Sequence, residues 1–310
     1  MPGIAWPQGK RFAFSIFDDT DLMTMENGPP VYDFLAQLGF RTTKSVWHLS
    51  GETKPRIGGA TCEDPEYAEW TVGLQKQGFE IGSHGASYGT ASRDEWKRGL
   101  EQFNRLYGHY PRIHANHAGS LDSIYWGEQR VTGLQRLAYN VLTRYASRDW
   151  QGHCPDSPHY WGDHCHAHIK YVRNFVFGDI NTLRACPQMP YHDPARPLVK
   201  AWFSSSEGPT VDAFCHILSE SNQECLETQG GACIMYTHLA AGFFENGRLH
   251  PRFARLMDAL SKRRGWFVPV SELLDYIQTA RGGEHVISAS ERRGLERSWL
   301  AHKLRTRGTS

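Results

Sequence analysis

Residues 12–21 read Phe12-Ala13-Phe14-Ser15-Ile16-Phe17-Asp18-Asp19-Thr20-Asp21, an apolar run that ends in three acids within four residues. Aromatic and branched side chains in such a run predict a buried strand. Carboxylates crowded where a strand leaves the core repel one another by several kcal/mol at an effective dielectric of about 20. A divalent cation would relieve that repulsion, whereas a solvated turn would explain the same residues without a metal. The stretch by itself leaves both interpretations open.

The composition narrows the class of protein. A chain of 310 residues can bury a large core, and its net charge of +1 provides no overall field for nucleic acid or an anionic membrane. The sequence contains no apolar run long enough to span a bilayer, and its N-terminus lacks the pattern of a secretion signal. We therefore expect a cytoplasmic protein whose seven cysteines are reduced.

Strand-like and helix-like segments alternate along the chain, which is typical of a parallel α/β architecture. The sequence Ser92-Arg93-Asp94-Glu95 predicts a helix that begins with a capping box. We predict a single distorted (β/α) barrel of about seven strands over residues 1–281. A charged extension follows over residues 282–310, with six Lys and Arg against three acids.

Polar residues collect at the carboxyl ends of the predicted strands, where function gathers in parallel barrels. They are Asp18, Asp19 and Asp21, then Ser83 and His84, then Asn116 and His117, and last Thr237 and His238. One histidine at a strand end is usually structural. Three of them together with a carboxylate pair favour a metal site, and Asp with His ligands suits Zn²⁺.

These residues resemble the motifs of the polysaccharide deacetylases, the NodB-homology or carbohydrate esterase family 4 superfamily. Residues 15–20, 80–84 and 234–238 are similar to the first, second and last motifs of that family. The resemblance covers about residues 10–280 and implies a distorted (β/α)7 barrel. Further similar runs, among them Tyr160-Trp161-Gly162-Asp163, point to a subgroup encoded with O-antigen genes.

The resemblance also implies roles for single residues. Asp18 would be the catalytic base, and His238 would protonate the leaving group. Asp19 and His84 would bind the metal. Asp21 could be a further ligand, although a turn residue explains it more simply. Four residues are expected to contact the substrate: Asn116, Trp161, Asp163 and Tyr236.

Two departures from the family pattern concern the metal. The second metal histidine should fall four residues after His84, where this chain has Tyr88. The third motif normally carries an Arg that orients the base, whereas this strand reads Arg112-Ile113-His114-Ala115-Asn116-His117. Another strand could supply the missing ligand. His114 and His117 have opposite parity in a regular strand, so at most one faces the site. We expect His117, at the end of the strand, to be the third ligand.

The resemblance implies metal-dependent hydrolysis that removes an N-acyl group, expected to be acetyl, from an amino-sugar unit in surface polysaccharide biosynthesis. The cofactor would be a divalent ion, with Zn²⁺ favoured. The substrate would be a carbohydrate, namely a sugar nucleotide, a lipid-linked sugar or a polysaccharide. No nucleic-acid partner is expected.

Other interpretations stay open. The altered motifs could belong to an inactive homologue that only binds carbohydrate. Alternatively, the protein could bind the metal but hydrolyse a different bond, such as that of a formamide or a cyclic ureide. Gly85-Ala86-Ser87-Tyr88-Gly89 fits the nucleophile elbow of serine hydrolases. The His- and Cys-rich residues 153–168 could form a separate zinc site, although a loop beside the substrate cleft explains them more simply.

Overall fold

The computed structural model describes residues 4–51, 57–144 and 149–306. Strands and helices alternate along these residues. The strands, in chain order, are β1 (Phe12–Asp18), β2 (Thr43–Leu49), β3 (Glu80–Ser87), β4 (Ile113–His114), β5 (Tyr171–Phe177), β6 (Tyr191–His192), β7 (Ala201–Glu207), β8 (Ala232–Thr237), β9 (Phe244–Glu245), β10 (Arg248–Leu249), β11 (Gly265–Phe267) and β12 (His285–Val286).

Seven parallel strands close into a barrel. The order runs from β1 through β2, β3, β4, β5, β7 and β8, and β8 pairs again with β1. The (β/α)7 barrel expected from the sequence is therefore confirmed. Because all seven strands are parallel, their carboxyl ends open on the same face of the barrel.

The barrel is distorted between β1 and β2. These strands pair only at their ends, where Phe17 lies opposite Thr43 and Asp18 opposite Lys44. The first half of β1 pairs instead with β11, where Phe12 lies opposite Gly265. The inserted strand separates β1 and β2 at the amino end of the barrel, while the carboxyl end, which holds the acids, stays closed.

Helices surround the barrel. They are α1 (Gly28–Gln37), α2 (Pro65–Lys76), α3 (Arg93–Tyr107), α4 (Gly133–Leu142), α5 (Gly162–His168), α6 (Thr182–Ala185), α7 (Val211–Ile217), α8 (Glu220–Gln229), α9 (Pro251–Ser261), α10 (Val270–Ala280) and α11 (Ala289–Thr306). The capping box is confirmed, because the Ser92 side chain accepts a hydrogen bond from the Glu95 backbone and the Glu95 side chain accepts one from Ser92.

The side chains of β1 alternate between two apolar layers. Ala13 and Phe17 belong to the layer inside the barrel, where Phe17 lies against Phe203. Phe14 and Ile16 belong to the layer between the barrel and the helices. This alternation, imposed by the pleat of the strand, determines which acids beyond Phe17 can point into the barrel.

The C-terminal residues pack on the barrel. The Trp299 side chain of α11 is fully buried, with its ring centroid 4.9 Å from that of Phe175 in β5 and 5.8 Å from that of Tyr139 in α4. The strand β12 pairs with β6. The division of the chain at residue 281 stays a prediction. Among the helices of the described residues, none has the length and hydropathy of a membrane span.

Trp299→Ala should lower the free energy of unfolding by about 3–5 kcal/mol, because it removes a large buried ring that the surrounding helices cannot fully replace. Leu304→Ala is the matched control, since Leu304 lies on the same helix and is 59% exposed. We expect it to change the free energy by less than about 0.5 kcal/mol. Urea unfolding followed by circular dichroism measures both, and equal losses would contradict the packing of α11.

Candidate metal centre

The acids at the carboxyl end of β1 point in two directions. Asp18 continues the parity of Phe14 and Ile16 and faces the helices, whereas Asp19 continues the parity of Phe17 and faces the barrel interior. All three acids are buried. Each of them therefore needs a compensating partner within the protein.

Asp18 is enclosed on the helix side of the barrel. Its Oδ2 accepts a hydrogen bond of 2.8 Å from the Tyr32 hydroxyl and lies 3.4 Å from Lys44 Nζ, while its Oδ1 accepts one from the Leu239 amide. Burial raises the pKa of Asp18 despite the nearby Lys44 charge. Asp18 was expected to be the catalytic base. The structure instead directs its carboxylate away from the barrel interior.

Asp19 forms a bidentate ion pair with Arg173 of β5. The guanidinium donates two hydrogen bonds, of 2.8 Å to Oδ1 and 2.5 Å to Oδ2. Burial disfavours the charge of Asp19, but Arg173 and then His84 outweigh this effect and lower its pKa. Asp19 was expected to be a metal ligand. In the structure its charge is balanced by Arg173, and its nearest imidazole nitrogen, His84 Nδ1, lies at 3.8 Å.

Asp21 is the acid around which the histidines converge. His84 Nε2 lies 3.0 Å from Oδ2, His117 Nε2 lies 3.2 Å from Oδ1, and His238 Nε2 lies 3.5 Å from Oδ2. Burial opposes the charge of Asp21, yet hydrogen bonds from His117 and His84 leave its pKa far below the usual range. Asp21 lies in a turn, as expected, and its carboxylate also faces three histidines.

Two groupings of ligand atoms could hold a metal ion. One joins Asp21, His84 and His117, and the other joins Asp19, Asp21 and His238, with the ligand atoms of each within 4.8 Å of one another. Asp21 belongs to both groupings. The expected set of Asp19, His84 and His117 is not one of these two groupings as a whole, since Asp19 is grouped with Asp21 and His238.

A β-bulge places His84. Along the β2–β3 ladder Val46 lies opposite Ser83 and Trp47 lies opposite Gly85, so His84 is an extra residue in β3. Gly85 adopts φ of 138°, a conformation that side chains rarely tolerate. A bulge of this kind re-aims a side chain. The Trp47 ring packs against both His84 and His117, with centroids 6.1 and 5.7 Å away.

His238 is held in one orientation. Its Nδ1 lies 2.8 Å from the Pro209 carbonyl oxygen, which can only accept, so Nδ1 carries a proton. The other nitrogen, Nε2, lies 3.4 Å from the Tyr236 hydroxyl and faces Asp21. The aromatic ring of Tyr236 lies against the Arg173 guanidinium, 4.3 Å from its carbon. His238 and Tyr236 thus meet the acids at the carboxyl end of the barrel.

Comparison of the sequence with protein-family models and with curated proteins finds no match. Solved structures do share the architecture. A protein assigned as a polysaccharide deacetylase from Mycobacterium smegmatis has 11% identity over 93% of this chain and 97% of its own, with a TM-score of 0.50. Puue allantoinase has 13% identity over 90% of this chain and 94% of its own, also with a TM-score of 0.50. The fold is the polysaccharide deacetylase barrel.

The four expected substrate contacts differ in their surroundings, and Asn116 lines one small pocket together with His84 and His117. Asn116 uses its amide to hold the backbone of Ile124. Trp161 is fully buried and stacks on Trp96 at 3.6 Å. Asp163 forms an exposed bidentate ion pair with Arg93. Trp161 and Asp163 thus have structural partners, whereas Tyr236 adjoins the Arg173 side chain that pairs with Asp19. The substrate contacts stay a prediction.

The other sequence interpretations find less support in the geometry. The Ser87 hydroxyl exchanges weak hydrogen bonds with the Gly89 backbone, which suits a loop rather than a nucleophile elbow. Within the described part of the chain, residues 153–168 contribute no ligand to a metal-sized cluster. Part of this expected loop is the helix α5.

His114 is buried beside β3. It lies 3.2 Å from the Ser83 hydroxyl, and burial lowers the pKa of His114 to about 3.

Arg173, the partner of Asp19, has no role that the sequence motifs predict. It lies between Val172 and Asn174 on β5, a fully buried strand. A cation inside a buried strand requires an acidic partner. That requirement was a usable signal, but the sequence does not say which acid meets it.

Arg173→Met should lower the free energy of unfolding by about 3–5 kcal/mol at about pH 7, because it leaves Asp19 buried without a counter-charge. In the native protein the pKa of Asp19 is lowered, so its stabilisation is present above the unfolded-state pKa and is lost as the pH falls through the folded-state pKa. Without Arg173, burial raises that pKa, and the loss should shrink as the pH falls.

Urea unfolding of both proteins at about pH 7 and pH 5 measures this difference. The control is the double variant Asp19→Asn/Arg173→Met, which has no uncompensated charge and should recover part of the stability at about pH 7. A loss of equal size at both pH values would contradict the assigned ion pair.

Proposed function

We propose that this protein is a metal-dependent hydrolase that removes an N-acyl group, favoured as acetyl, from an amino-sugar unit. One observation carries the proposal. Lys44 balances Asp18 and Arg173 balances Asp19, whereas the ion pairs of Asp21 among the described residues run to imidazoles. A buried carboxylate surrounded by imidazoles is a typical ligand set for a divalent cation.

Asp21, His84 and His117 are the proposed ligands. One carboxylate oxygen and two imidazole nitrogens suit Zn²⁺ and leave positions for water and substrate. The missing second-motif histidine is then replaced by His117, from the segment after β4. When bound, such an ion polarises a carbonyl and lowers the pKa of a water molecule.

Asp19 is the proposed base in place of Asp18. The Arg173 pair keeps it ionised and fixes its orientation, and a carboxylate has lone pairs beyond the two that Arg173 occupies. Asp19 would accept the proton that water loses as its oxygen bonds to the acyl carbon. The geometry that supports this role is the position of Asp19 inside the barrel, 3.8 Å from His84.

His238 is the proposed acid. Its Nδ1–H is held by Pro209, so a second proton would reside on Nε2, which faces the cluster. Breakage of the amide C–N bond releases an amine, which must be protonated as it leaves. His238 would give that proton, and the products would be a carboxylic acid and a free amine. Tyr236 beside His238 would help to position the acyl group.

The finer assignment rests on the sequence resemblance, with support from the barrel fold. We propose a carbohydrate substrate in the cytoplasm, either a sugar nucleotide, a lipid-linked sugar or a polysaccharide unit, used in O-antigen assembly. A homologue that binds sugars without hydrolysing them is the second candidate. The altered second and third motifs of this chain favour it.

Asp21→Ala and His117→Ala should each lower the bound metal to below about one tenth of the wild-type content, because each removes one of three ligands. Asp163→Ala is the matched control, since that acid is exposed and paired with Arg93. Elemental analysis after loading with Zn²⁺ measures the content, with melting temperature as the check on folding. Full occupancy in Asp21→Ala would refute the ligand set.

Asp19→Asn should keep the metal but reduce acetate release by at least about 10²-fold, because it removes the proton acceptor. The assay uses N-acetylated sugar nucleotides, with allantoin as a parallel substrate. If Asp19→Asn loses the metal, the result would instead support Asp19 as a metal ligand. A wild-type protein that binds metal and glycans without releasing acetate would favour the binding homologue, and turnover of allantoin alone would favour the cyclic ureide.

A further inference from the structure

The helix α4 is attached to the protein through its polar side. Arg136 and Asn140 both donate hydrogen bonds to the Glu128 carboxylate, and the ring of Tyr139 stacks on Trp299 of α11. The helix lies in the long connection between β4 and β5, which begins next to His117. Its polar residues are thus engaged with the body of the protein.

The opposite side of α4 is apolar and exposed. Leu134 is 81% exposed, Leu137 54% and Val141 58%. Ala138 and Leu142 are exposed on the same side. These five residues, which we call the α4 face, recur at the spacing of one helical stripe. A surface helix normally buries such a stripe, so α4 is inverted relative to the usual arrangement.

The surroundings of the α4 face are basic. Arg144, just beyond the end of the helix, is exposed, whereas Arg130 is buried and Arg136 pairs with Glu128. The adjacent helix α11 exposes Arg293, Arg297 and Arg305. The overall charge of +1 conceals this local excess, because acids elsewhere in the chain cancel it.

The size and charge of the α4 face argue against a second copy of the chain. A helix of ten residues is about 15 Å long, and one stripe on it covers far less than the roughly 800 Å² per partner of a stable complex. A two-fold pairing of α4 would also bring the arginines of two copies together. A lipid surface requires no matching protein face and attracts both features.

We propose that the α4 face is a membrane-docking surface, on which the protein rests against anionic lipid. The apolar side chains enter the boundary between headgroups and acyl chains, as in interfacial amphipathic helices, and the arginines contact lipid phosphates. The attachment is peripheral and reversible. It stands independently of the proposed hydrolase activity, because it rests on the α4 face and its surrounding charge.

Sedimentation with lipid vesicles tests the proposal on the full-length protein. Vesicles of phosphatidylcholine with about 30% phosphatidylglycerol should bind the protein, and raising NaCl from about 0.05 to 0.5 M should weaken binding. The variant Leu137→Ser/Val141→Ser should lose at least about tenfold in partition coefficient. Val286→Ser, a matched change at a residue that is 56% exposed outside α4, should bind as the wild type does.

Several outcomes would overturn the proposal. They are absence of binding to anionic vesicles, binding that Leu137→Ser/Val141→Ser leaves unchanged, and equal loss in Val286→Ser. Analytical ultracentrifugation tests whether a second copy covers the α4 face instead. That would be shown if the wild type is a dimer and the double variant is a monomer. The substitutions lie at exposed positions, so unchanged melting temperatures are expected and exclude unfolding as the cause of lost binding.

Discussion

Three carboxylates lie within four residues in a region of the barrel that excludes water, and each requires its own positive partner. Lys44 forms an ion pair with Asp18 on the side of β1 that faces the helices, and Arg173 forms one with Asp19 across the barrel. Asp21 then faces imidazoles. The three acids thus differ in their partners: a lysine for Asp18, an arginine for Asp19 and imidazoles for Asp21. The proposed chemistry depends on that difference, because the desolvation of each charge must be offset locally.

The barrel supplies these partners from distant parts of the chain. β1 brings the acids, a bulge in β3 aims His84, the segment after β4 brings His117, and β8 ends next to His238. The strand β11 opens the barrel at its amino end while the carboxyl end stays closed around the acids. The distorted pairing and the cluster of acids therefore lie at opposite ends of β1.

The connection between β4 and β5 joins the candidate metal centre to the exposed α4 face. It starts beside His117 and includes α4, whose apolar side is exposed, and α4 is braced by Trp299 of α11. The basic C-terminal helix α11 thus packs against both α4 and the barrel. A net charge close to zero obscures such local asymmetry, because attraction to a surface depends on the charges that face it.

The sequence alone determined the alternation of strands and helices, the capping box at Ser92, the barrel and the histidines at strand ends. These features follow from local periodicity and from neighbours a few residues apart. Only the tertiary structure assigned the acids, because Asp19 and Arg173 are 154 residues apart and their pairing arises when β1 and β5 close one barrel. The same holds for Asn116, Trp161 and Asp163, whose partners are set by packing. Parity along β1 was readable in advance, but the partner that fixes each charge was not.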